Sequence, residues 1–174
     1  DILSFRDTQE NRLNEMFNYN ELFEKLSSQL ETAEKILIDD ATKLSLVRKK
    51  EADKLCRAVS ASLKELNFLN TEFTADFQDE KPCTNGADYV RFLISTNVGE
   101  PLKPLSKIAS GGELSRIMLA FKSVVADKDD TDTLIFDEID AGISGKTAQM
   151  VGNKLKQLSD KHQIICITHL PQIA

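Results

Sequence analysis

The segment "LIFDEIDAGISGKTAQMV" (134–151) carries residues for two competing chemistries. Gly145-Lys146-Thr147 has the closing residues of a phosphate-gripping loop, G-x-x-x-x-G-K-[ST], whose backbone N–H groups cradle the anion while the lysine adds charge. The first glycine of such a loop permits a close turn around the phosphates, but Asp140 stands at that position. A carboxylate there would repel phosphate, and Gly142 is out of register to replace the glycine. Lys146 and Thr147 therefore read as the exposed first turn of a helix, and a kinase or GTPase built around them fails at Asp140. The better signal precedes them. "TLIFDE" is a run of largely apolar β-formers ending in two carboxylates. A buried parallel strand delivers its last residues to the carboxyl edge of the sheet, where open α/β folds bind ligands. Asp137 would hold Mg²⁺ through water, since Mg²⁺ gives up its hydration reluctantly. Glu138, one residue on, could orient or deprotonate an attacking water. Standing alone, the same residues could simply be a strand ending in two exposed acids.

Two further stretches bear on that choice. In "ASGGEL" (109–114), Ser110 and Glu113 form an S-x-x-E capping box around Gly111 and Gly112. Two glycines at a helix N-terminus also leave N–H groups uncovered and aimed at an anion, so capping and phosphate contact are compatible. "IICITH" is an apolar strand ending in His169, one crossover beyond the Asp-Glu strand. It would emerge at the same sheet edge, where an imidazole could donate to a terminal phosphate. A lone histidine after a strand also serves purely structural ends.

The elements that must position these residues fall into three regions. No proline precedes Pro82 and no glycine precedes Gly86, so nothing breaks a helix before them. From Met16 to Val47 a heptad places Phe23, Leu30, Leu37 and Leu44 on one seam position and Tyr19, Leu26, Ala33 and Val47 on the other, with Asp40 the intruder. Such a seam requires a partner helix from elsewhere; a bent hairpin packed on the domain is the alternative. Arg48, Lys49, Lys50 and Lys54 form a small basic cluster that reads as a solvated face. "TEFTADFQ" and "YVRFLIST" alternate as paired antiparallel strands, with "DEKPCTNGAD" as a longer loop between them. "PLKPLSKIASGGE" reads as a loop, "LSRIMLAFKSVVA" as a helix, and then strand, helix and strand follow. Continuous apolar runs in that order predict a parallel sheet in an α/β domain.

The totals are consistent with one domain plus a protruding element, at 174 residues. A net charge of −6 argues against bulk electrostatic attraction to nucleic acid, though not against a local basic patch. Cys56, Cys83 and Cys166 share no metal-ligand spacing and read as reduced thiols. No apolar run approaches the roughly 18 residues that span a bilayer, and no secretory signal is visible at the start. The expectation is a soluble intracellular protein.

In this order and spacing the three elements resemble the C-terminal half of an ABC-type ATPase head. The coil points to the SMC-like branch, and within it to bacterial DNA repair proteins. "NGADYVRFLISTNVGEPLKPLSKIASGGELSRIMLAFK", "LIFDEIDAGISGKTAQMVG" and "ITHLPQIA" carry the likeness, which is specific over 85–174 and generic over the coil. The implied fold class is α/β, the C-terminal part of a P-loop NTPase head of ABC/SMC type with a long N-terminal coiled-coil helix. The implied domains are a coiled-coil arm at 1–57 and a half-head at 58–174. By the same resemblance Ser110, Gly111, Gly112 and Glu113 are the signature motif, closing over ATP held by an opposing head. Ala109 stands where transporters usually have Leu, and Glu113 where they have Gln. Asp137 becomes the Mg²⁺ residue, Glu138 and His169 the catalytic residues, His169 as the switch histidine. Asp140, Ala141, Gly142, Ile143 and Ser144 form the D-loop, with Ser144 where an Asp is usual.

The resemblance implies ATP and Mg²⁺ as ligands and ATP-driven head engagement acting on DNA in double-strand break repair. The implied partners are DNA, a second head in a homodimer and the N-terminal half of the same protein, with no membrane. The implied location is the bacterial cytoplasm, at the nucleoid. A P-loop and a Q-loop would precede the coil, so the chain reads as a fragment lacking the N-terminal strands of the sheet and inactive alone. A second reading stays open, a coiled-coil interaction module whose ABC-like α/β domain no longer turns over nucleotide.

Overall fold

The uninterrupted opening forms one helix, α1, at Ile2–Glu65. The computed structural model describes residues 2–97, 99–108 and 110–174. Asn67 ends α1 in a left-handed conformation (φ 69°), with Phe68 N–H donating to Leu63 O at 3.1 Å and Asn67 N–H to Lys64 O at 3.1 Å. That pair of bonds satisfies carbonyls the helix end would otherwise orphan.

The chain divides into two compact units, Asp1–Leu46 with Glu80–Ala87, and Val47–Asp79 with Asp88–Ala174. In the first unit the seam residues Phe23, Leu26, Leu30 and Leu37 are all exposed. Ion pairs one turn apart, Lys35–Glu31 at 2.7 Å and Lys43–Asp39 at 2.5 Å, decorate this stretch. Such exposed pairs are screened by solvent and add little to stability.

The second unit has its own core. Val59, Leu63 and Leu66 from the end of α1 join Phe73, Ile94, Ile117, Leu119, Phe136, Ile139 and Val151, all buried. Phe73 stacks on Phe92 at 5.5 Å, and Phe92 meets Phe121 edge-on at 5.7 Å. Strands β1 (Glu72–Cys83), β2 (Gly86–Ser95) and β3 (Lys103–Pro104) form a three-stranded sheet in that order. Two expectations need correction here. The loop between β1 and β2 is a two-residue turn, Thr84-Asn85, because both strands extend further than their alternation indicated. Pro82 lies inside β1, which is an edge strand of the sheet, the place where proline is tolerated. The stretch read as a loop after Pro101 contains β3, which pairs antiparallel with β2 through Leu93↔Pro104 and Ile94↔Lys103. The Ser95 hydroxyl, within 3.0 Å of both Asn97 O and Glu100 O, ties the connection that brings it back.

Helix α2 (Gly111–Val125) leads to strand β4 (Thr133–Phe136), helix α3 (Gly145–Leu158) and strand β5 (Gln163–Cys166). β4 and β5 pair in parallel, Thr133↔Gln163 through Phe136↔Cys166, as the apolar runs predicted. The two strands are buried on one face only. Leu134 and Phe136 enter the core, whereas Ile135, Ile165 and Ile167 are exposed at 67%, 45% and 57%. The run read as a buried strand is buried on the face that carries Leu134 and Phe136, which join the core with residues of α2 and α3. Among the described residues no helix is long and apolar enough to cross a membrane.

Candidate active site

The parallel pairing continues past β5 through Ile167 N–H, which donates to Phe136 O at 2.9 Å. The residues after β4 and after β5 therefore leave the sheet side by side. Asp137 and Glu138 are exposed at that edge. The Asp137 Oδ1 accepts Glu138 N–H at 2.8 Å, and Glu138 itself adopts a left-handed backbone (φ 55°) uncommon for a residue with a side chain. A turn follows, closed by Ala141 N–H on Glu138 O at 3.0 Å and Ile143 N–H on Asp140 O at 3.3 Å.

Ser110 caps α2 with a β-region backbone, its Oγ accepting Glu113 N–H at 3.4 Å. Ala109 lies outside the described residues. The two glycines that follow abut the Glu138 turn of their own chain. A Cβ on Gly111 would come 2.3 Å from Glu138 Oε2, and one on Gly112 would meet Ala141 Cβ at 2.7 Å and Glu138 O at 2.9 Å. Gly112 is thus required by close approach of backbone within the chain, whereas a side chain at Gly111 would meet only the movable end of Glu138.

Two residues that the sequence reading passed over fasten this contact. The Ser115 hydroxyl donates to Asp137 O at 2.7 Å. Arg116, buried, donates from Nη1 to Ile139 O at 3.2 Å and Ala141 O at 2.8 Å, with Phe68 under its guanidinium at 5.7 Å. Burial lowers its pKa, opposed by the charge of Glu113. Arg116 shares a helical stripe with Gly112 and Ala120, both small and buried. An arginine between two small residues on a buried stripe was the available signal.

Asp140 is buried, and its Oδ2 accepts the Thr168 hydroxyl and His169 N–H at 2.7 Å and lies 3.0 Å from His169 Nδ1. The Thr168 hydroxyl, and after it the His169 N–H, hold this carboxylate below its usual range against the cost of burial. Gly142 (φ 73°) and Gly145 (φ 53°) provide the backbone turns before α3, and Ile143 packs against the core. Ser144 is the N-cap of α3 without a side-chain capping bond. Lys146 is exposed on the first turn of α3, and Thr147 accepts Asn67 Nδ2–H at 3.3 Å.

The fit of a metal follows from the donor set. Among the described residues no group of three or more His, Cys, Asp or Glu side chains could hold a metal ion. A single exposed carboxylate, Asp137, suits a cation such as Mg²⁺, which keeps several waters and takes its remaining ligands from phosphates.

No protein-family model matches the sequence. The chain is similar along its whole length to the DNA repair protein RecN of Bacillus subtilis (strain 168), 41% identical over 190 residues, covering 33% of that protein. It is 44% identical to RecN of Haemophilus influenzae over 93% of the chain and 29% of the relative. Against RecN of Treponema pallidum it is 50% identical over 75% of the chain and 24% of the relative. Among solved structures, a Smc head bound to the C-winged helix domain of ScpA matches 79% of the chain and 42% of its own, with TM-score 0.53 and 22% identity. A Smc head with a coiled coil and joint from Pyrococcus yayanosii matches 78% and 25%, with TM-score 0.55 and 22% identity. At that identity the likeness shows the fold, that of an SMC-type head.

Proposed function

The chain belongs to the RecN family of DNA repair proteins, spanning about a third of their length, and from that premise we propose that it is part of an ATP-hydrolysing head. Residues 58–174 supply the C-terminal half of the head and residues 1–57 one coiled-coil arm. The N-terminal part of the same protein brings the P-loop, the second arm and the covering for Ile135, Ile165 and Ile167. The exposed seam supports the second arm, since a coiled-coil helix cannot bury its own stripe.

The observation that carries this reading is the meeting at one sheet edge of the paired carboxylates, the glycine-rich helix start and the tethered histidine. Asp137 would hold Mg²⁺ through water; the bound ion neutralises charge on the phosphates. Glu138 orients the attacking water and accepts its proton, and His169 faces the terminal phosphate. Ser110 and the glycines present N–H donors and a partial positive charge but no lysine and no metal ligand. They complete a site on an opposing head rather than make one, so turnover requires two engaged heads. The protein acts at DNA in the bacterial cytoplasm, using head engagement in double-strand break repair.

The test uses a full-length protein carrying this chain. Glu138→Gln preserves ATP binding and slows hydrolysis by about 10² or more, because the amide keeps the shape and cannot take a proton. Asp137→Asn instead weakens Mg²⁺-dependent binding. Equal behaviour of the two variants in binding and in turnover would refute the division of labour.

A further inference from the structure

Asp140 falls in the loop that the resemblance assigns as the D-loop, and its side chain is spent inside its own chain. It is 5% exposed, whereas the His169 side chain is 78% exposed. One oxygen, Oδ2, accepts the Thr168 hydroxyl and the His169 backbone N–H and lies 3.0 Å from the His169 ring at Nδ1. The first two fix the backbone after β5 against the turn after β4. The ring contact bears on the tautomer: an ionised carboxylate only accepts, so a nitrogen held 3.0 Å from it is favoured in its protonated form.

We infer that Asp140 is a positioning residue acting in cis, holding the His169 imidazole in its Nδ1–H form with Nε2 on the open side of the ring. The consequence is chemical as well as geometric. A neutral His169 held this way offers a lone pair at Nε2, able to accept a hydrogen bond from water. Donation from Nε2 to a phosphate requires the doubly protonated ring. Thr168 belongs to the same device. Its Oγ donates to Asp140 and accepts Leu170 N–H at 3.1 Å, locking the turn on which the ring is mounted.

That the ring then acts on a nucleotide rests on the proposed function; that Asp140 sets the ring does not. The first measurement therefore needs no turnover. The chain has two histidines, and His162 Nδ1 lies 2.7 Å from Thr131 O, a carbonyl that also demands an Nδ1 proton. Long-range ¹H–¹⁵N spectra of the imidazoles, recorded with the rings neutral, should show both histidines as Nδ1–H. Asp140→Ala should move His169 toward the Nε2–H form that an unrestrained imidazole prefers, leaving His162 unchanged as the check on folding. Asp140→Asn keeps one acceptor oxygen and should retain the Nδ1–H signal. An Nε2–H signal for His169 in the unaltered chain overturns the inference, as does a His169 signal unmoved by Asp140→Ala. Should Asp140→Ala also disturb His162, the unaltered chain and Asp140→Asn decide: Nδ1–H in both supports the inference, Nε2–H in either rejects it. In a full-length protein, Asp140→Ala and His169→Ala should each lower kcat about tenfold or more at unchanged KM, and the double variant should be no worse than either. A tautomer that moves without any change in kcat leaves the positioning intact and instead removes the phosphate role of His169.

Discussion

The first stretch of α1 and the unit that carries the site place their apolar side chains in opposite ways. On the seam, Phe23 is 72% exposed and Leu30 60%, although their spacing is regular. In the second unit, Leu63 and Ile117 are fully buried, although they come from helices far apart in sequence. Regular spacing guarantees a stripe; only other elements guarantee burial. The first stretch of α1 therefore presents an uncovered stripe, while the site region carries its own core and can hold backbone carbonyls and carboxylates in fixed places.

This contrast can be broken most sharply by matched truncations. Leu63→Ala should destabilise the chain by about 2–5 kcal/mol, since it leaves a cavity that neighbours only partly fill. Leu30→Ala should stay within about 0.5 kcal/mol, as an exposed substitution does. Urea unfolding read at constant slope checks both. Equal losses would mean that the seam is already buried in solution.

Arg116→Met should cost less, about 1–3 kcal/mol, by removing the donor from Ile139 O and Ala141 O while keeping most of the volume. The same unfolding curve gives the loss. Arg116→Lys should recover only part of it, because one ammonium cannot reproduce the planar fork seated on Phe68. Full recovery with lysine would show that charge alone matters there.

The smallest effect lies at Asp129, whose carboxyl is drawn from 3.8 to about 2, chiefly by the Lys122 ammonium at 2.5 Å. Its folded pKa is depressed, so its contribution is present above the unfolded value and lost as pH falls from about 3.8 through about 2. Asp129→Asn should flatten the acid limb of a stability profile in that window by removing the contribution present above it, so that neutral stability falls slightly and the profile below about 2 is unchanged. An unaltered acid limb would place the acid sensitivity elsewhere.

What was legible in the sequence was local or periodic. The heptad, the apolar run before Asp137 and the S-x-x-E start of α2 each announce themselves within a few residues. The parallel pairing of β4 and β5 followed from the order of elements. What was not legible joins distant residues: Arg116 on Ala141, Phe68 beneath Arg116, Thr168 on Asp140. No period connects such partners, and an arginine on a helix reads as solvated until the fold shows it buried. Pro82 misled in the other direction, since its place in an edge strand depends on which strand lies outermost.

The bare isoleucines of β4 and its neighbour leave a mark that alignments can display. Leu134 and Phe136 answer to residues within this stretch, so their substitutions should be compensated by changes in α2 and α3. Ile135, Ile165 and Ile167 touch no such layer, and their substitution histories should instead track positions encoded elsewhere in the gene. Two adjacent residues of one strand would then evolve under different correspondents, the chain's own helices for one and a separate stretch of the same protein for the other.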